Sequence, residues 1–260
     1  MENYTTINAE TIDRWVDKGW VWGTPLTQEQ CAAVRQGEWE VVLTPARHVP
    51  KDWFLPFEGT KILGLASGGG QQMPVFALLG AACTIMDLSD RQLESEKMVA
   101  KREGYNIEIV KADMTKTFPF EDDSFELIFH PVSNCYVEDV DHVWRECYRV
   151  LRSGGILLSG LDNGINYLFD EDKEGEPLIV TNTLPYNPLK DPKLMEKLLK
   201  KDYGVQFSHT FDEQIGGQLK AGFVITGAYE DFNHSDEEPA ATAAAGIPTF
   251  WATRAVKPIS

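Results

Sequence analysis

Short apolar runs and amphipathic stretches alternate along most of this chain, and their order sets the expected fold. Ile62 to Leu65 is a strand-type run that stops at Ser67-Gly68-Gly69-Gly70. A helical pattern follows from Pro74 to Leu79 and ends at Gly80, with its proline in the first turn, where a missing N–H costs nothing. Ala82 to Met86 reads as a second buried strand ending in Asp87. Ser89-Asp90-Arg91-Gln92 matches a capping box, so a helix is predicted from there to Glu103, closed by Gly104. Ile107 to Val110 is a third strand and Glu126 to Phe129 a fourth, which ends at His130. From Val137 onward Val140, Val143, Trp144, Cys147, Tyr148 and Leu151 recur at three and four, one face of a helix. Arg152-Ser153-Gly154-Gly155 closes that helix, and Ile156 to Gly160 is the fifth strand.

Strands and helices that alternate in this way build a mainly parallel sheet with helices on both faces. Beyond Gly160 the pattern changes. Residues 162 to 203 hold turn residues, a strand-type segment from Pro177 to Thr183 and a lysine-rich helix from Pro192 to Lys201, more than a connector needs and of the kind used for lids and binding loops. A last helix, Phe211 to Ala221, precedes two strands, Phe223 to Tyr229 and Thr249 to Val256, joined by the acidic, then alanine-rich loop Asp236 to Gly246. The expected architecture is α/β: a Rossmann-like, mainly parallel seven-stranded sheet that ends in an antiparallel pair, with an insertion after the fifth strand. Residues 1 to 58 form an N-terminal extension on the domain of residues 59 to 260. The extension carries predicted helices at Thr11 to Lys18 and Thr27 to Gln36, and five of the seven tryptophans. Such aromatics pack the extension down or line a pocket, and Trp22-Gly23-Thr24-Pro25 is the first place to look for a pocket aromatic.

Composition narrows the partners. A net charge of −16 and a pI near 4.7 argue against nucleic acid, whose binders present a basic face. The four cysteines, Cys31, Cys83, Cys135 and Cys147, are scattered and suggest neither a disulfide framework nor a metal site. Met1 to Glu10 lacks the form of a signal peptide, and no apolar run approaches the roughly 20 residues needed to cross a bilayer. These features fit a cytoplasmic protein without a membrane partner, a monomer or a homodimer.

The candidate chemistry lies at the carboxyl ends of the first strands. Three consecutive glycines let a ligand approach the backbone closely. Asp87 stands about 20 residues beyond them, where an acid in mononucleotide-binding units accepts hydrogen bonds from ribose hydroxyls; its bland alternative is the start of a turn before Ser89. Asp113 ends the next strand in the same way, or is a loop aspartate.

Phe118-Pro119-Phe120-Glu121-Asp122-Asp123-Ser124-Phe125-Glu126-Leu127-Ile128-Phe129, then Val137-Glu138-Asp139, then Glu146-Cys147-Tyr148-Arg149-Val150-Leu151-Arg152-Ser153-Gly154-Gly155 resemble a class I S-adenosylmethionine-dependent methyltransferase. The matching segments run from Lys61 to Gly160 and, less tightly, from Phe211 to Lys257. The resemblance implies that Ala66, Ser67 and Gly68 lie under the methionine part of S-adenosyl-L-methionine. It implies also that Asp87 holds the ribose, that Leu88 packs on the adenine with Asp113 and Met114 beside it, and that His130 lines the transfer cleft. S-adenosyl-L-homocysteine would be the product and a small molecule the methyl acceptor. The chain departs from the family where an acid is usual and Gly64 stands, and where a first glycine is usual and Ala66 stands. Methyl transfer from a sulfonium needs alignment and exclusion of water more than a triad or a metal. A base helps with a hydroxyl or protonated amine acceptor, and His130, Tyr136 and His209 are the candidates. Two other readings remain. One is a nicotinamide-dependent oxidoreductase, against which Met73 stands where the third glycine of its phosphate turn belongs. The other is a catalytically silent S-adenosylmethionine-binding protein.

Overall fold

The computed structural model describes residues 3–169, 178–233, 242 and 246–259. Seven strands, β1 (Lys61–Leu65), β2 (Ala82–Asp87), β3 (Ile107–Lys111), β4 (Phe125–His130), β5 (Leu151–Asp162), β6 (Val224–Asp231) and β7 (Phe250–Val256), form one sheet in the order β3-β2-β1-β4-β5-β7-β6. β1 to β5 are parallel, and β7 runs antiparallel to both β5 and β6. The chain runs from β1 to β2 and β3 on one side, then crosses to β4 on the other side of β1. The strand order therefore reverses between β1 and β4, and a crevice opens off the carboxyl ends of these strands.

The helices are α1 (Tyr4–Asp17), α2 (Gln28–Arg35), α3 (Met73–Leu78), α4 (Asp90–Glu103), α5 (Val140–Val150), α6 (Pro192–Lys201) and α7 (Gly217–Ala221), the last entered through a π-helical turn at Asp212–Gly216. α4 is capped by Ser89, whose hydroxyl accepts from Gln92 N, and stopped by Gly104 in the left-handed region. Only half of the expected capping box forms there, because Ser89 N donates to Asp87 Oδ1 rather than to the Gln92 side chain, whose NH2 donates to Trp22 O. α5 buries Val140, Val143, Trp144, Cys147 and Val150 against the sheet, as its period predicts. On its polar side Glu146 accepts from Phe118 N, while Arg149 donates to Phe118 O, Phe120 O and Asp122, so these two residues clamp the turn that leads into β4. The guanidinium holds the Glu146 carboxyl below its usual range.

Three sequence expectations are corrected. β5 begins at Leu151 rather than Ile156, its extra residues absorbed by a bulge opposite Phe125 and Leu127. The strand-type run from Pro177 to Thr183 makes only an isolated bridge, Val180 with Phe169, and Pro177 lies outside the described residues; Ile179 and Val180 are exposed, so the run has no sheet to join. α1 starts at Tyr4, well before Thr11, on an Asn3 cap. Most of the acidic loop from Asp236 to Gly246 also lies outside the described residues.

The extension is part of the core. Val34, Val41, Leu43 and Val49 are buried in the same cluster as Ile62, Phe76 and Phe129. Trp39 and Trp53 pack at its edge, Trp53 against Tyr229. α1 is tied to the insertion: the Asn8 side chain accepts from Val205 N at 2.7 Å and donates to Val205 O at 2.9 Å, and Asp202 receives Arg14 and Lys18. All four cysteines are free and buried.

Candidate active site

The glycine turn is built from behind. Gly70 O accepts from Leu26 N at 2.8 Å, and the Gln71 amide donates to Val21 O and Thr24 O. The segment Trp22-Gly23-Thr24-Pro25 therefore supports the turn through its backbone. Trp22 is partly exposed and does not line the cleft. Ala66 takes φ +47°, a left-handed conformation that costs a residue with a Cβ roughly 1–2 kcal/mol. Its N–H donates to Met86 O at 2.8 Å, which joins the tips of β1 and β2. The position where the family turn has glycine thus keeps the glycine geometry with alanine in it. Gly64 has a different cause. A Cβ there would lie 2.5 Å from Met73 Sδ, so the buried Met73 side chain fills the space that an acid would take.

A cavity of about 60 Å³ lies beside this turn, between the strand tips and helix α1. Ala66, Met86, Asp87 and Leu88 form one wall, Ala112, Asp113, Met114 and Thr115 a second, Tyr136 and Val137 a third, and Thr5, Asn8, Ala9 and Ile12 of α1 the cover. Asp87 Oδ2 accepts from Gly68 N at 3.1 Å and Oδ1 from Ser89 N at 3.0 Å. Burial raises its pKa, and these two amides oppose the shift. Asp113 Oδ1 accepts from Thr115 N, which fixes its side chain at the rim. The tips of β2 and β3 are in register, Asp87 opposite Lys111, so both carboxylates stand on neighbouring strand ends.

Of the residues the sequence singled out, the structure gathers Ala66, Asp87, Leu88, Asp113, Met114 and Tyr136 around one cavity. Gly68 touches it through Asp87, and a Cβ on Gly68 would sit 2.9 Å from Asp87 Oδ2 and 2.6 Å from Gln92 Cβ. Ser67 is buried and its hydroxyl has no partner. His130 and His209 are placed elsewhere. His130 is 0 % exposed, its Nδ1 2.9 Å from Leu65 O and its Nε2 2.7 Å from Asn134 Oδ1. His209 is buried with Nε2 3.1 Å from Asn134 O. Burial lowers the pKa of both imidazoles. The α1 wall was not foreseen, because the face it buries is polar: Thr5, Asn8 and Thr11.

The methyltransferase-domain family model matches residues 63–159. The uncharacterized methyltransferase YbaJ of Bacillus subtilis (strain 168) is 43% identical over 227 residues, 86% of this chain and 89% of that protein. The chain belongs to the class I S-adenosylmethionine-dependent methyltransferases. An S-adenosylmethionine-dependent methyltransferase from Mesorhizobium loti shares the fold with a TM-score of 0.58 at 19% identity, over 79% of this chain and 94% of that one. The [4+2]-cyclase SpnF does so with a TM-score of 0.52 at 18% identity, over 78% and 77%. These two likenesses speak for the fold alone, since one scaffold hosts several chemistries. Among the described residues of this methyltransferase no helix is long and apolar enough to cross a membrane.

Proposed function

We propose that this methyltransferase moves the methyl group of S-adenosyl-L-methionine to a small-molecule acceptor by in-line displacement, with the nucleoside seated between Asp87 and Asp113. Bound there, the cofactor supplies an electrophilic sulfonium methyl. Asp87 carries the reading: its oxygens are anchored by Gly68 and Ser89 and border the cavity, where they accept from vicinal hydroxyls. Leu88, Met86 and Met114 offer the apolar faces an adenine needs, and the unpartnered Ser67 hydroxyl is a free polar contact on the glycine side. A cavity of about 60 Å³ is well below the ~300 Å³ of the smallest usual ligand pockets, so α1 moves outward when the nucleoside enters.

Alignment and exclusion of water carry the step, and the α1 cover supplies the second. Of the three candidate bases only Tyr136 borders the cavity, so it is the one we place near the acceptor. His130 has both ring nitrogens engaged and serves as a support. Nothing favours a nicotinamide enzyme or a silent binding protein over this reading.

Titration calorimetry with S-adenosylhomocysteine tests it. Saturable one-to-one binding is expected. Asp87→Ala should weaken that binding by ~1–3 kcal/mol, because the ribose hydroxyls and the Gly68 and Ser89 amides lose a shared acceptor. Affinity that is the same in the variant would remove Asp87 from the site.

A further inference from the structure

Glu96 lies on α4 directly behind the glycine turn, is 0 % exposed, and accepts from Gly70 N at 2.7 Å with Oε1. Its Oε2 has no partner, and neither have the nearby Gln92 Oε1 and Ser67 Oγ. Gly70 itself has little freedom: its φ is +71°, and a Cβ on it would lie 2.8 Å from Val99 Cγ2. The titratable groups that face Glu96 are Asp87 at the tip of β2, Cys83 within β2 and Tyr105 just after α4, all acids. Burial, reinforced by Asp87, pushes the Glu96 carboxyl up to about 8, with the Gly70 N–H pulling the other way.

We propose that Glu96 in its neutral form is the positioning residue of the cofactor turn: it fixes Gly70, and so shapes Ser67 to Gly70 for the methionine end of the sulfonium donor, and its ionisation loosens that grip. The inference rests on the cofactor reading above. A buried carboxylate with a single amide donor and an acid for a neighbour is costly, so an ionised Glu96 draws water in and the turn opens. In the opened turn the group titrates near the ordinary ~4.3 of a glutamate. Opening therefore releases a proton, becomes easier as pH rises from there, and stops gaining once pH passes about 8.

The test compares S-adenosylhomocysteine binding by calorimetry for wild type, E96Q and E96A at pH 6.5 and 8.5. Glutamine reproduces the neutral acid, so E96Q should bind within about twofold of wild type at pH 6.5, while E96A binds about tenfold or more weakly. At pH 8.5 the affinity of wild type relative to E96Q should drop about threefold or more; the ligand's own amine titrates alike in both measurements and cancels. E96Q as weak as E96A at pH 6.5, or a ratio of wild type to E96Q that stays constant between the two pH values, would overturn the role of Glu96. The comparison of wild type with E96Q does not depend on E96A folding. If wild type binds no S-adenosylhomocysteine at either pH, the cofactor reading fails and this inference falls with it.

Discussion

Gly160→Ala is expected to destabilise the protein by upward of about 3 kcal/mol, enough to remove a large part of the stability of an ordinary domain. Gly160 sits in β5, opposite Ala252 of β7, and a Cβ on it would lie 1.9 Å from Leu43 O and 2.7 Å from Leu43 C. Both are backbone atoms, so no rotamer change relieves the clash. The Leu43 carbonyl is also held in place, accepting from Val132 N at 3.1 Å. The segment must lift off the sheet, which exposes Val41, Leu43 and Val49 and frees the loop after β4. Gly216→Ala is the control. Its Cβ would meet nothing nearer than Asp212 Cβ at 3.9 Å, so it should be neutral or slightly stabilising. Urea denaturation of both variants reads the difference. A Gly160→Ala midpoint equal to that of wild type would mean that the extension does not lie against β5.

That packing could not be read from the chain, and the reason is general to the parts that were missed. The strands β1 to β5 were legible because each is a short apolar run bounded by turn residues, and buried parallel strands have that form. That Asp87 and Asp113 stand beside one cavity was legible because each closes an apolar strand run, and in an open α/β sheet such ends face a common crevice. α1 was half missed because its inward side carries Thr5, Asn8 and Thr11, and a helix that buries polar groups against the backbone of Val205 has no apolar period to detect. The run from Pro177 to Thr183 failed for the opposite reason: its apolar residues promised a strand, yet Ile179 and Val180 face solvent. Residue type, its place at the end of the fourth strand and the family resemblance made His130 a candidate base. Its partners, Leu65 O and the Asn134 side chain, come from a different strand tip and from the following turn, contacts that no spacing in the sequence announces.

Glu96 belongs with these. On a helix whose other charged residues are exposed or half-buried it looks like one more solvated charge, yet it is buried, like Gln92 on the same helix, and accepts from Gly70 N. Asp87, Gln92 and Glu96 together surround the glycine turn from the β2 tip and α4, while Leu26 and Gln71 tie it to the extension. The turn is therefore fixed from both sides by groups outside the glycine run. This explains how Ala66 stays in a left-handed conformation: the surrounding contacts over-determine it.

His130→Ala should cost on the order of 3–5 kcal/mol at pH 7.5 to 8, from a void the size of a ring plus the carbonyl and amide left without partners. The ring lies between Leu65 O and the Asn134 side chain, with Ser133 Oγ 3.3 Å from Nδ1 and the Trp144 ring nearly perpendicular to it, the ring centres 6.3 Å apart. Because burial lowers its pKa, the ring is neutral, and one nitrogen carries hydrogen. Leu65 O can only accept, so Nδ1 is the donor. Nε2 must then accept, so the Asn134 amide is turned to place its NH2 rather than its oxygen at the ring, and the Gln214 amide is turned with it, so that its NH2 rather than Oε1 meets the Asn134 oxygen across the 3.2 Å contact. The pH dependence follows in sign. An unfolded histidine takes up its proton near pH 6.5 and the folded one only lower, so the unfolded state binds more protons in that window and stability falls as pH drops below about 6.5. The variant has no such group. The gap in stability between wild type and His130→Ala should therefore be full above pH 6.5 and shrink as the pH is lowered; the buried His209 is present in both proteins and cancels. Denaturant titrations at pH 8, 6.5 and 5.5 measure the gap. A gap that widens on acidification would show that His130 is charged in the folded protein, and the neutral bridge between the tip of β1 and the loop of Tyr136 would have to be abandoned.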